Sequence, residues 1–546
     1  MQLLKIAATI LLLALTAPSL ANDVDDYQNS WVHQALSLQR QLDAQAPLAQ
    51  ATFIATHNSY NSSVWTTPVR YIDPNQWRSV RDQLRMDVRA LEFDVHTYFS
   101  MQGWPWEWHN ELLLCHGQDN DLGCSSYDRK FRDGLEDIRH WLEQSGNQHE
   151  VVILYIEDHM DGGWYDDAID DITDTIGSWV YRPASGSCEG IPMSLSKADI
   201  LSSGKQVLLM TDGCNNGFNA WVYGGIGDSL NGFPTGDVEN LSYPDCQSSR
   251  FSRGFYDTHI VRYYEDRTNL SAVFGDPGDP ITAQKLPELL ACGVNLIGLD
   301  KLTPNDGRLQ AAVWSWNQGE PNDWNGNEDC AMQYANGRFN DLNCSASKRF
   351  ACHKPGTHEW YVTHRSGSWS EGDDACRDET NGDFRFSVPT NAHDNRKLVE
   401  TKQYAGVTEV WLNYSDRQQE GKWQATDANS HWHNWQAGEP NNWANSEDCA
   451  MQYANGHYND LACGVNLAFA CQNPSTNEWY VTQGRAPWSQ GDAICHAETN
   501  GLFRFALPTS SADNQKLMAA KQHLGINSVW LNYSDHQQEG RWQVGN

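Results

Sequence analysis

Three features are scarce in this chain, and each scarcity argues against a class of protein. After residue 21, no stretch approaches the run of about 18 apolar residues that a membrane-spanning helix needs. None of the 14 cysteines forms a CxxC pair, which argues against a zinc ribbon. Basic residues are few, with 38 Lys and Arg against 70 Asp and Glu. The resulting net charge of −32 argues against nucleic acid as a partner, because phosphate binding requires basic patches.

The first 21 residues differ from everything that follows. "MQLLKIAATILLLALTAPSLA" has one lysine, an apolar centre and small residues at the expected cleavage site. This pattern is typical of a secretory signal peptide. An even number of cysteines fits the disulfides of an oxidising compartment. We therefore expect a secreted protein, extracellular or periplasmic. Its acidity suits divalent cations, although solubility alone is an alternative reason for the charge.

The C-terminal part contains a repeat. "EDCAMQYANGRFNDLNC" at 328–344 returns as "EDCAMQYANGHYNDLAC" at 447–463, an offset of 119 residues. "EWYVTHRSGSWSEGDDACRDETNG" at 359–382 returns at 478–501 with the same offset. The order along the chain is therefore C-half, N-half, C-half, N-half, and only 356–474 is a full unit in sequence.

Upstream of 317 the pattern is different. Short apolar runs such as "FIATHNSY", "ALEFDVHTY", "EVVILYIED" and "VNLIGLDKL" are separated by segments with helical spacing. One of these, at 131–144, places Phe131, Leu135, Ile138 and Leu142 on one face. Strand alternating with helix over this length predicts a parallel α/β barrel.

Polar side chains lie at or near the C-terminal ends of four of the apolar runs. Active groups of a barrel lie at the C-terminal ends of its strands, which is where these residues occur. Imidazoles serve as base and acid near neutral pH, and amide and carboxylate oxygens are ligands that Ca²⁺ accepts. Taken singly, each is explained as a structural hydrogen-bonding group, but together they indicate a site. They are His57, Asn58, Glu92, Asp94, His116 and Glu157.

The motifs around these residues resemble a known family. "THNSYN", "RALEFDVH", "CHG" and "VVILYIED" are similar to the successive strand motifs of phosphatidylinositol-specific phospholipases C, in particular the Ca²⁺-dependent kind. The resemblance covers about residues 50–316 and includes the closing "NLIGLDKL" and "RLQAAVWSW". It implies a TIM-barrel-like phosphodiesterase acting at a membrane surface.

By this resemblance, His57 is the general base that deprotonates the inositol 2-hydroxyl, and His116 protonates the departing diacylglycerol oxygen. The resemblance also implies a calcium ion that stabilises the charge on phosphorus. Its ligands would be Asn58, Glu92, Asp94 and Glu157.

The fifth apolar run departs from the family pattern. Members that act on polyphosphorylated inositides carry lysines there, whereas "KQVLLMTDG" has Met210 and Asp212. This favours unphosphorylated phosphatidylinositol or a glycosylated inositol anchor. "IVRYYED" resembles the segment that contacts the inositol ring, which makes Arg262 and Tyr264 candidates, although an Arg among aromatics also packs structurally. Glycerophosphodiester and sphingomyelinase D phosphodiesterases, which share the two histidines and the acidic metal site, remain rivals.

The repeat resembles the C-type lectin domain. "WHNWQAGEPNNWANSEDCAMQYANGHYNDLACGVNLAFAC" has the EPN triplet, the Asn-Asp pair and the cysteines in the expected order. The resemblance implies an α+β domain, a cis Pro440 and a Ca²⁺ that binds vicinal hydroxyls of mannose- or glucose-type glycans. A purely structural role is the alternative. The implied ligands are Glu439, Asn441, Glu447, Asn459 and Asp460, and in the first half Glu320, Asn322, Glu328, Asn340 and Asp341.

The cysteines bear on how the halves combine. The resemblance implies Cys376–Cys471 and Cys449–Cys463, with Cys330–Cys344 by analogy. Cys352 and Cys495 would then pair if the terminal half, 475–546, folded back onto 317–355 as one permuted domain. Two alternatives are a truncated chain and a first half that belongs to the barrel family. In the barrel, only Cys115–Cys124 is close enough to predict.

The predicted organisation is thus a signal peptide at 1–21, a phosphodiesterase barrel at 22–316, a lectin C-half at 317–355, a complete lectin domain at 356–474 and a lectin N-half at 475–546. The expected function is a secreted, calcium-dependent phosphodiesterase that cleaves phosphatidylinositol-type lipids and is held on glycans. The alternatives are a carbohydrate-binding adhesin with an inactive barrel and a phosphodiesterase for another phospholipid headgroup.

Overall fold

The structure is a computed structural model that describes residues 20–546 with several gaps. The gaps are 118–120, 122, 185, 187–188, 193–194, 212–216, 225–261, 266, 269–279, 418–419, 426–434, 437–438, 509–510, 538–541 and 546. Residues 1–19 of the predicted signal peptide therefore lie outside the described residues. So do Asp212 and the cysteines at 188, 214 and 246.

The first sheet has seven short strands, built from the apolar runs of the N-terminal part. Six form a path in the order β5-β4-β2-β1-β7-β6, and the pairings along it are all parallel. Most of their side chains are buried, as expected for parallel strands covered by helices. The predicted α/β barrel class is confirmed. The strands are β1 (Phe53–Thr56), β2 (Ala90–Phe99), β3 (Asn110–Leu114), β4 (Val152–His159), β5 (Val207–Thr211), β6 (Arg262–Tyr264) and β7 (Leu296–Leu299).

Helices follow or precede these strands. The described helices of this part are α1 (Leu20–Gln28), α2 (Trp31–Leu42), α3 (Val80–Arg85), α4 (Phe131–Leu142), α5 (Tyr165–Thr175), α6 (Lys197–Ser202), α7 (Leu286–Ala291) and α8 (Gly307–Ala312). The predicted apolar face of α4 is buried, and a Cβ on its Gly134 would come within 2.8 Å of Phe93 and Leu114. Among the helices described, none has the length and apolar content needed to cross a bilayer.

Strand β3 differs from the expected parallel pattern. It runs antiparallel to β2, with Val95 opposite Leu114 and Phe99 opposite Asn110. Only residues 100–109 separate the two strands, which is too short for a helical crossover and long enough for a hairpin. The hairpin brings the chain back along β2 as far as Val95, the residue after Asp94.

Two six-stranded sheets follow, and they have the same order of corresponding strands. The first runs β11-β10-β13-β8-β9 with β12 paired to β10, and the second runs β15-β14-β19-β16-β17 with β18 paired to β16. The first set is β8 (Cys330–Gln333), β9 (Phe339–Leu342), β10 (Lys348–His353), β11 (Trp360–Gly367), β12 (Arg385–Phe386) and β13 (Val410–Ser415). The second is β14 (Cys449–Gln452), β15 (Tyr458–Leu461), β16 (Ala468–Gln472), β17 (Trp479–Val481), β18 (Arg504–Phe505) and β19 (Val529–Ser534). Their helices are α9 (Gly372–Glu379), α10 (Ala392–Tyr404), α11 (Gly491–Glu498) and α12 (Ser511–Leu524).

The structure overturns the predicted combination of the repeat halves. Strand β10 forms a hairpin with β11 and lies parallel to β13, so the C-half at 317–355 pairs with the N-half that follows it. Strand β16 pairs in the same way with β17 and β19. The strands of 356–474 are therefore divided between two sheets, and 475–546 pairs with the second C-half.

The disulfides follow the same local order. Cys352–Cys376 and Cys471–Cys495 are each separated by 24 residues, so the predicted Cys376–Cys471 and Cys352–Cys495 bridges are wrong. The physical reason is loop closure, because residues 354–359 alone join β10 to β11 and a short loop costs little entropy. The predicted bridges that are confirmed are Cys115–Cys124, Cys330–Cys344 and Cys449–Cys463.

The chain packs into two compact units. The first comprises residues 1–326, 332–341 and 389–408, and the second comprises 327–331, 342–388 and 409–546. The barrel strands lie in the first unit, and the third sheet lies in the second.

A peptide map under non-reducing conditions tests this pairing of halves. We expect Cys352 linked to Cys376 and Cys471 linked to Cys495, since each pair joins a strand to the helix that follows it. Cys330–Cys344 serves as the internal control, because both arrangements require it. A Cys376–Cys471 link would contradict the fold.

Candidate active site

His57 lies in the turn that follows β1. The next residue, Asn58, is buried and adopts φ 45°, a left-handed conformation that asparagine tolerates better than most side chains. The turn is tied to β2, because the Asn58 backbone N–H donates to Glu92 Oε2 at 2.9 Å and the Ser59 N–H donates to the Glu92 carbonyl at 3.0 Å. The predicted base and the predicted metal ligand beside it are thus held against the second strand.

Three polar residues that the sequence did not single out hold the His57 ring. Asp300, at the end of β7, is fully buried and places Oδ1 3.5 Å from His57 Nδ1. Gln76 Nε2 donates to the His57 carbonyl at 2.7 Å and to Asp300 Oδ1 at 3.2 Å, and Asn75 Nδ2 donates to Asp300 Oδ2 at 3.2 Å. Nδ1 is thus directed at the Asp300 carboxylate, and Nε2 lies on the side of the predicted metal ligands, 3.0 Å from the Asn58 amide. The sequence could have predicted Asp300, because in "NLIGLDKL" it is the polar residue that directly follows an apolar run.

The predicted metal ligands form a row on two neighbouring strands. Glu92 and Asp94 lie two residues apart on β2 and so share one face, and Glu157 on β4 is opposite Asp94 in the parallel register. Burial raises the pKa of Asp94 well above its ordinary value, and the carboxylates of Glu157 and Glu92 raise it further. Buried carboxylates that repel one another are stabilised by a shared cation.

The amide of Asn58 fits the same ion. One end of it lies 3.0 Å from His57 Nε2, and the other lies 2.8 Å from Asp94 Oδ2. In the absence of a cation, the amide nitrogen has to face Asp94 to donate a hydrogen bond. The opposite orientation, with the amide oxygen toward Asp94, is the one in which Asn58 would serve as a ligand of a cation shared with the carboxylates. The donor set of Asn58, Glu92, Asp94 and Glu157 consists of the oxygen ligands that Ca²⁺ takes.

His116 reaches the site by way of the β2–β3 hairpin. The N–H of Cys115 donates to the Asp94 carbonyl at 3.3 Å, and the Cys115–Cys124 bridge closes the loop that follows. The His116 side chain is exposed, and its ring centroid lies 6.4 Å from that of His57 with the planes at 74°. The two imidazoles predicted as base and acid therefore lie side by side.

Two further histidines continue the row outward. His96 on β2 and His159 on β4 are opposite each other and stack at 4.3 Å. His159 Nε2 lies 3.1 Å from Glu157 Oε1, and His96 Nδ1 lies 2.9 Å from Asp121 Oδ1. Burial lowers the pKa of His96. The period-two spacing after Glu92 and Asp94 was the sequence signal for this pair.

The predicted substrate contacts lie on β6. The ring of Tyr264 is buried and its centroid is 5.7 Å from that of His57. The ring packs directly on Gly298 of β7, where an added Cβ would lie 2.0 Å from it. Arg262 is opposite Leu296 in the sheet, and its side chain lies outside the described part. Met210 on β5 is buried opposite Tyr155, so this position offers no cation.

The second lectin-like unit brings its predicted calcium ligands together. Asn441 Nδ2 donates to Glu439 Oε2 at 2.5 Å, and the N–H groups of Asn441 and Asn442 donate to the two oxygens of Asp460 at 3.1 and 2.6 Å. The Glu439–Pro440 bond is cis, as predicted. Burial raises the pKa of Glu439, and so do Asp460 and Glu447. Asn459 follows on β15 and is nearly buried.

The first lectin-like unit repeats this arrangement in part. Asn322 Nδ2 donates to Glu320 Oε2 at 2.5 Å, and the Asn322 N–H donates to Asp341 Oδ2 at 2.8 Å. Asn340 Oδ1 accepts from the Tyr334 hydroxyl at 2.8 Å. Glu328 belongs to the other compact unit and directly precedes Asp329 there.

A fourth group of carboxylates was not predicted from the sequence. Asp329, Asp416 and Glu420 each offer an oxygen within 4.8 Å of the others. Burial raises the pKa of Asp416 to about 6, with Glu420 and Asp329 adding to the shift. Asp448 and Asp535 are the counterparts of Asp329 and Asp416 in the second repeat. This repetition of acidic residues at equivalent positions could have indicated the group from the sequence.

Comparison with known proteins places this barrel in a family. Residues 12–306 match the model described as the Rv2075c PI-PLC-like domain, which is more than half of the chain. The chain belongs to this family. "Uncharacterized protein Rv2075c" of Mycobacterium tuberculosis H37Rv is 32% identical over 411 residues, which cover 71% of this chain and 81% of that protein. Because the family model ends at residue 306, a similarity of that extent reaches into the segment after the barrel.

The repeat matches a second family. Residues 365–473 match the C-type lectin domain model. Hepatic lectin of Gallus gallus is 39% identical over 118 residues, which cover 21% of this chain and 54% of that protein. The human C-type lectin domain family 10 member A is 26% identical over 119 residues, which cover 21% of this chain and 40% of that protein.

Solved structures of phospholipases C are also similar. The phosphatidylinositol-specific enzyme of Listeria monocytogenes has a TM-score of 0.29 and 15% identity, and the match covers 50% of this chain and 94% of that one. The calcium-dependent phosphoinositol-specific phospholipase C of a Pseudomonas species has a TM-score of 0.29 and 17% identity, covering 49% and 93%.

Proposed function

We propose that the protein is a secreted, calcium-dependent phosphodiesterase that cleaves phosphatidylinositol-type lipids and is held on glycans by its lectin-like units. The observation that carries the proposal is the pair of imidazoles, His57 and His116, whose ring centroids lie 6.4 Å apart. Beside them is a row of carboxylates in which Glu92 and Asp94 are buried and Glu157 is half-buried. Base, acid and cation ligands are the groups that in-line displacement at phosphorus needs.

The chain's own residues supply the proton transfers. His57 Nε2 accepts the proton of the inositol 2-hydroxyl, and that oxygen attacks phosphorus to form a cyclic phosphodiester. His116 donates a proton to the diacylglycerol oxygen as its bond to phosphorus breaks. The same histidines exchange roles when water opens the ring.

Asp300 keeps the His57 ring oriented and stabilises its charged form once the proton has moved. Calcium, held by Asn58, Glu92, Asp94 and Glu157, would supply positive charge to the phosphate oxygens. The buried ring of Tyr264 packs beside His57, with the two ring centroids 5.7 Å apart, and helps to fix the position of the His57 ring.

The lectin-like units supply the second activity. Their EPN loops bring together carboxylate and amide oxygens, the ligands that would hold Ca²⁺ with two vicinal sugar hydroxyls. Two units on one chain raise the effective concentration of the enzyme at a glycosylated surface.

The β2–β3 hairpin supports a lipid surface as the site of action. Its tip exposes Trp104 to 64% and Trp106 to 77%, with the two rings stacked at 5.2 Å, and Trp108 follows at 36%. Tryptophan is the side chain that prefers the boundary between water and lipid. The hairpin connects Asp94 to His116, so contact at its tip would bring the site to the lipid.

Release of cyclic inositol phosphate from phosphatidylinositol vesicles tests the catalytic proposal. We expect His57→Ala and His116→Ala each to lower the rate by about 10²–10⁴-fold, because each removes one proton transfer. EDTA should have a comparable effect that added Ca²⁺ reverses. His140→Ala, which changes an exposed histidine on α4, is the control. Wild-type protein that binds glycans but turns over no phospholipid in a headgroup panel would establish the adhesin alternative.

Retention on immobilised mannose tests the lectin sites. The double variant Glu320→Gln/Glu439→Gln removes one ligand charge from each unit, and we expect Ca²⁺-dependent retention to fall at least about tenfold, or about 1.4 kcal/mol. The control is Glu359→Gln/Glu478→Gln, an exposed pair at equivalent repeat positions. Equal retention of the two double variants would rule out sugar binding through these loops.

Sedimentation with phosphatidylinositol vesicles tests the hairpin. Trp104→Ala/Trp106→Ala should weaken vesicle binding about tenfold or more, because two interfacial side chains are lost. Hydrolysis of soluble cyclic inositol phosphate should be unchanged. Tyr404→Ala, on α10, removes a comparably exposed aromatic ring and should bind like the wild type. Undiminished vesicle binding by the double tryptophan variant would remove the hairpin from the proposal.

A further inference from the structure

The carboxylate of Asp300, which lies 3.5 Å from His57 Nδ1, is itself held from several sides. It is fully buried, and its oxygens accept from Gln76 Nε2 and Asn75 Nδ2 at 3.2 Å each and from the Arg267 backbone N–H at 2.6 Å. Several N–H donors on one carboxylate stabilise its charged form in a buried place. What remains to be fixed is the position of the Asp300 backbone, from which the carboxylate extends toward His57.

A buried ion pair between Glu265 and Arg308 holds that backbone. Glu265 directly follows β6, and its Oε1 accepts from the Asp300 N–H at 2.9 Å. Arg308 is the second residue of α8, and its Nη2 donates to the Asp300 carbonyl at 2.8 Å. The guanidinium also donates from Nη1 to Glu265 Oε1. The ion pair therefore binds both polar groups of the Asp300 backbone, the N–H through its acid and the carbonyl through its base.

Two further contacts fix the ion pair in place. Glu265 Oε2 accepts from the Ile281 N–H at 2.9 Å, and Asp306, the N-cap of α8, accepts from Arg308 Nη2 at 2.6 Å. Glu265 and Arg308 are both buried. Burial raises the pKa of Glu265, and the positive charge of Arg308 opposes that shift. Because desolvation offsets the attraction of a buried ion pair, such a pair adds little net stability, which favours a role in fixing geometry.

We propose that Glu265 and Arg308 are positioning residues of the candidate active site and act through Asp300. By holding its backbone, they direct the Asp300 carboxylate at His57 while that ring takes up a proton. The proposal rests on the proposed function, in which His57 is the base. A small displacement of the carboxylate would weaken its hold on the charged ring. Because the charged ring forms only during the reaction, the loss is expected in kcat rather than in KM.

A double-mutant cycle on the release of cyclic inositol phosphate tests this role. We expect Glu265→Gln and Arg308→Gln each to lower kcat about tenfold or more, with KM within about twofold of the wild-type value. Asp300→Ala should lower kcat by about 10²-fold or more. In the Asp300→Ala background, Glu265→Gln should cost no more than about a further twofold, because the residue through which Glu265 acts is gone. Arg308→Lys keeps the charge without the planar fork and should recover part of the loss.

Glu150→Gln is the matched control. Glu150 is a largely buried glutamate paired with Arg89 at 2.9 Å, and it lies before the first residue of β4, whereas the candidate site lies at the other end of that strand. Its substitution also breaks a buried ion pair, but kcat should change by less than about twofold. Rates are compared at a temperature at which circular dichroism shows every variant folded. Glu265→Gln keeps the side-chain size, so it carries the test if Arg308→Gln does not fold. A kcat loss in Glu265→Gln that is equally large without the Asp300 carboxylate, or that Glu150→Gln matches, overturns the proposal.

A measurement without turnover separates this proposal from the proposed function. The ring-nitrogen NMR signals of His57, assigned by their loss in His57→Ala, report on the carboxylate beside the ring. We expect Asp300→Ala and Glu265→Gln to shift these signals and Glu150→Gln to leave them in place. Shifted signals in a protein that cleaves no inositol lipid support the positioning role and remove the proposed function. An active enzyme whose His57 signals do not move in Glu265→Gln retains the proposed function and loses the positioning role.

Discussion

The parallel register of β2 and β4 is the constraint on which the active site depends. The register pairs Asp94 on β2 with Glu157 on β4. Glu92 is two residues before Asp94 and lies on the same face of β2, so three carboxylates are close together. Burial raises the pKa of Asp94, and the carboxylates of Glu157 and Glu92 raise it further. A shared divalent cation would offset this repulsion. The chain beside each of the two histidines is held by contacts with the strand that carries Glu92 and Asp94.

The two histidines approach the row from opposite directions in the chain. His57 arrives from β1 on a left-handed Asn58 whose N–H is tied to Glu92, and its ring is fixed from behind by Asp300 at the end of β7. His116 arrives from a hairpin that doubles back along β2 and is closed by a disulfide. One imidazole is thus partly enclosed and braced, and the other is exposed at the opening.

The halves of the lectin repeat can be combined in two ways, as an N-half with the C-half after it or as a C-half with the N-half after it. The family match spans 365–473 in linear order, whereas the sheets join each C-half to the N-half after it. Both combinations use nearly identical strands and cysteines, so their gross contacts are alike. The short β10–β11 and β16–β17 connections favour the local partner through lower loop entropy. The loops that carry the EPN triplets lie within the C-halves, so either combination of halves leaves them unchanged.

The sequence by itself determined most of the elements and which residues gather at the candidate site. Polar residues closing apolar runs identified His57, Asn58, Glu92, Asp94, His116 and Glu157, because alternation and strand ends are local properties of the chain. The tertiary structure alone decided which distant groups meet. Asp300 is more than two hundred residues from His57, β3 runs antiparallel, and Cys352 bonds to Cys376 rather than to a cysteine near the C-terminus. Such pairings depend on the lengths of the loops and on how the helices and strands pack. The pattern of apolar and polar residues along the chain predicts neither of these.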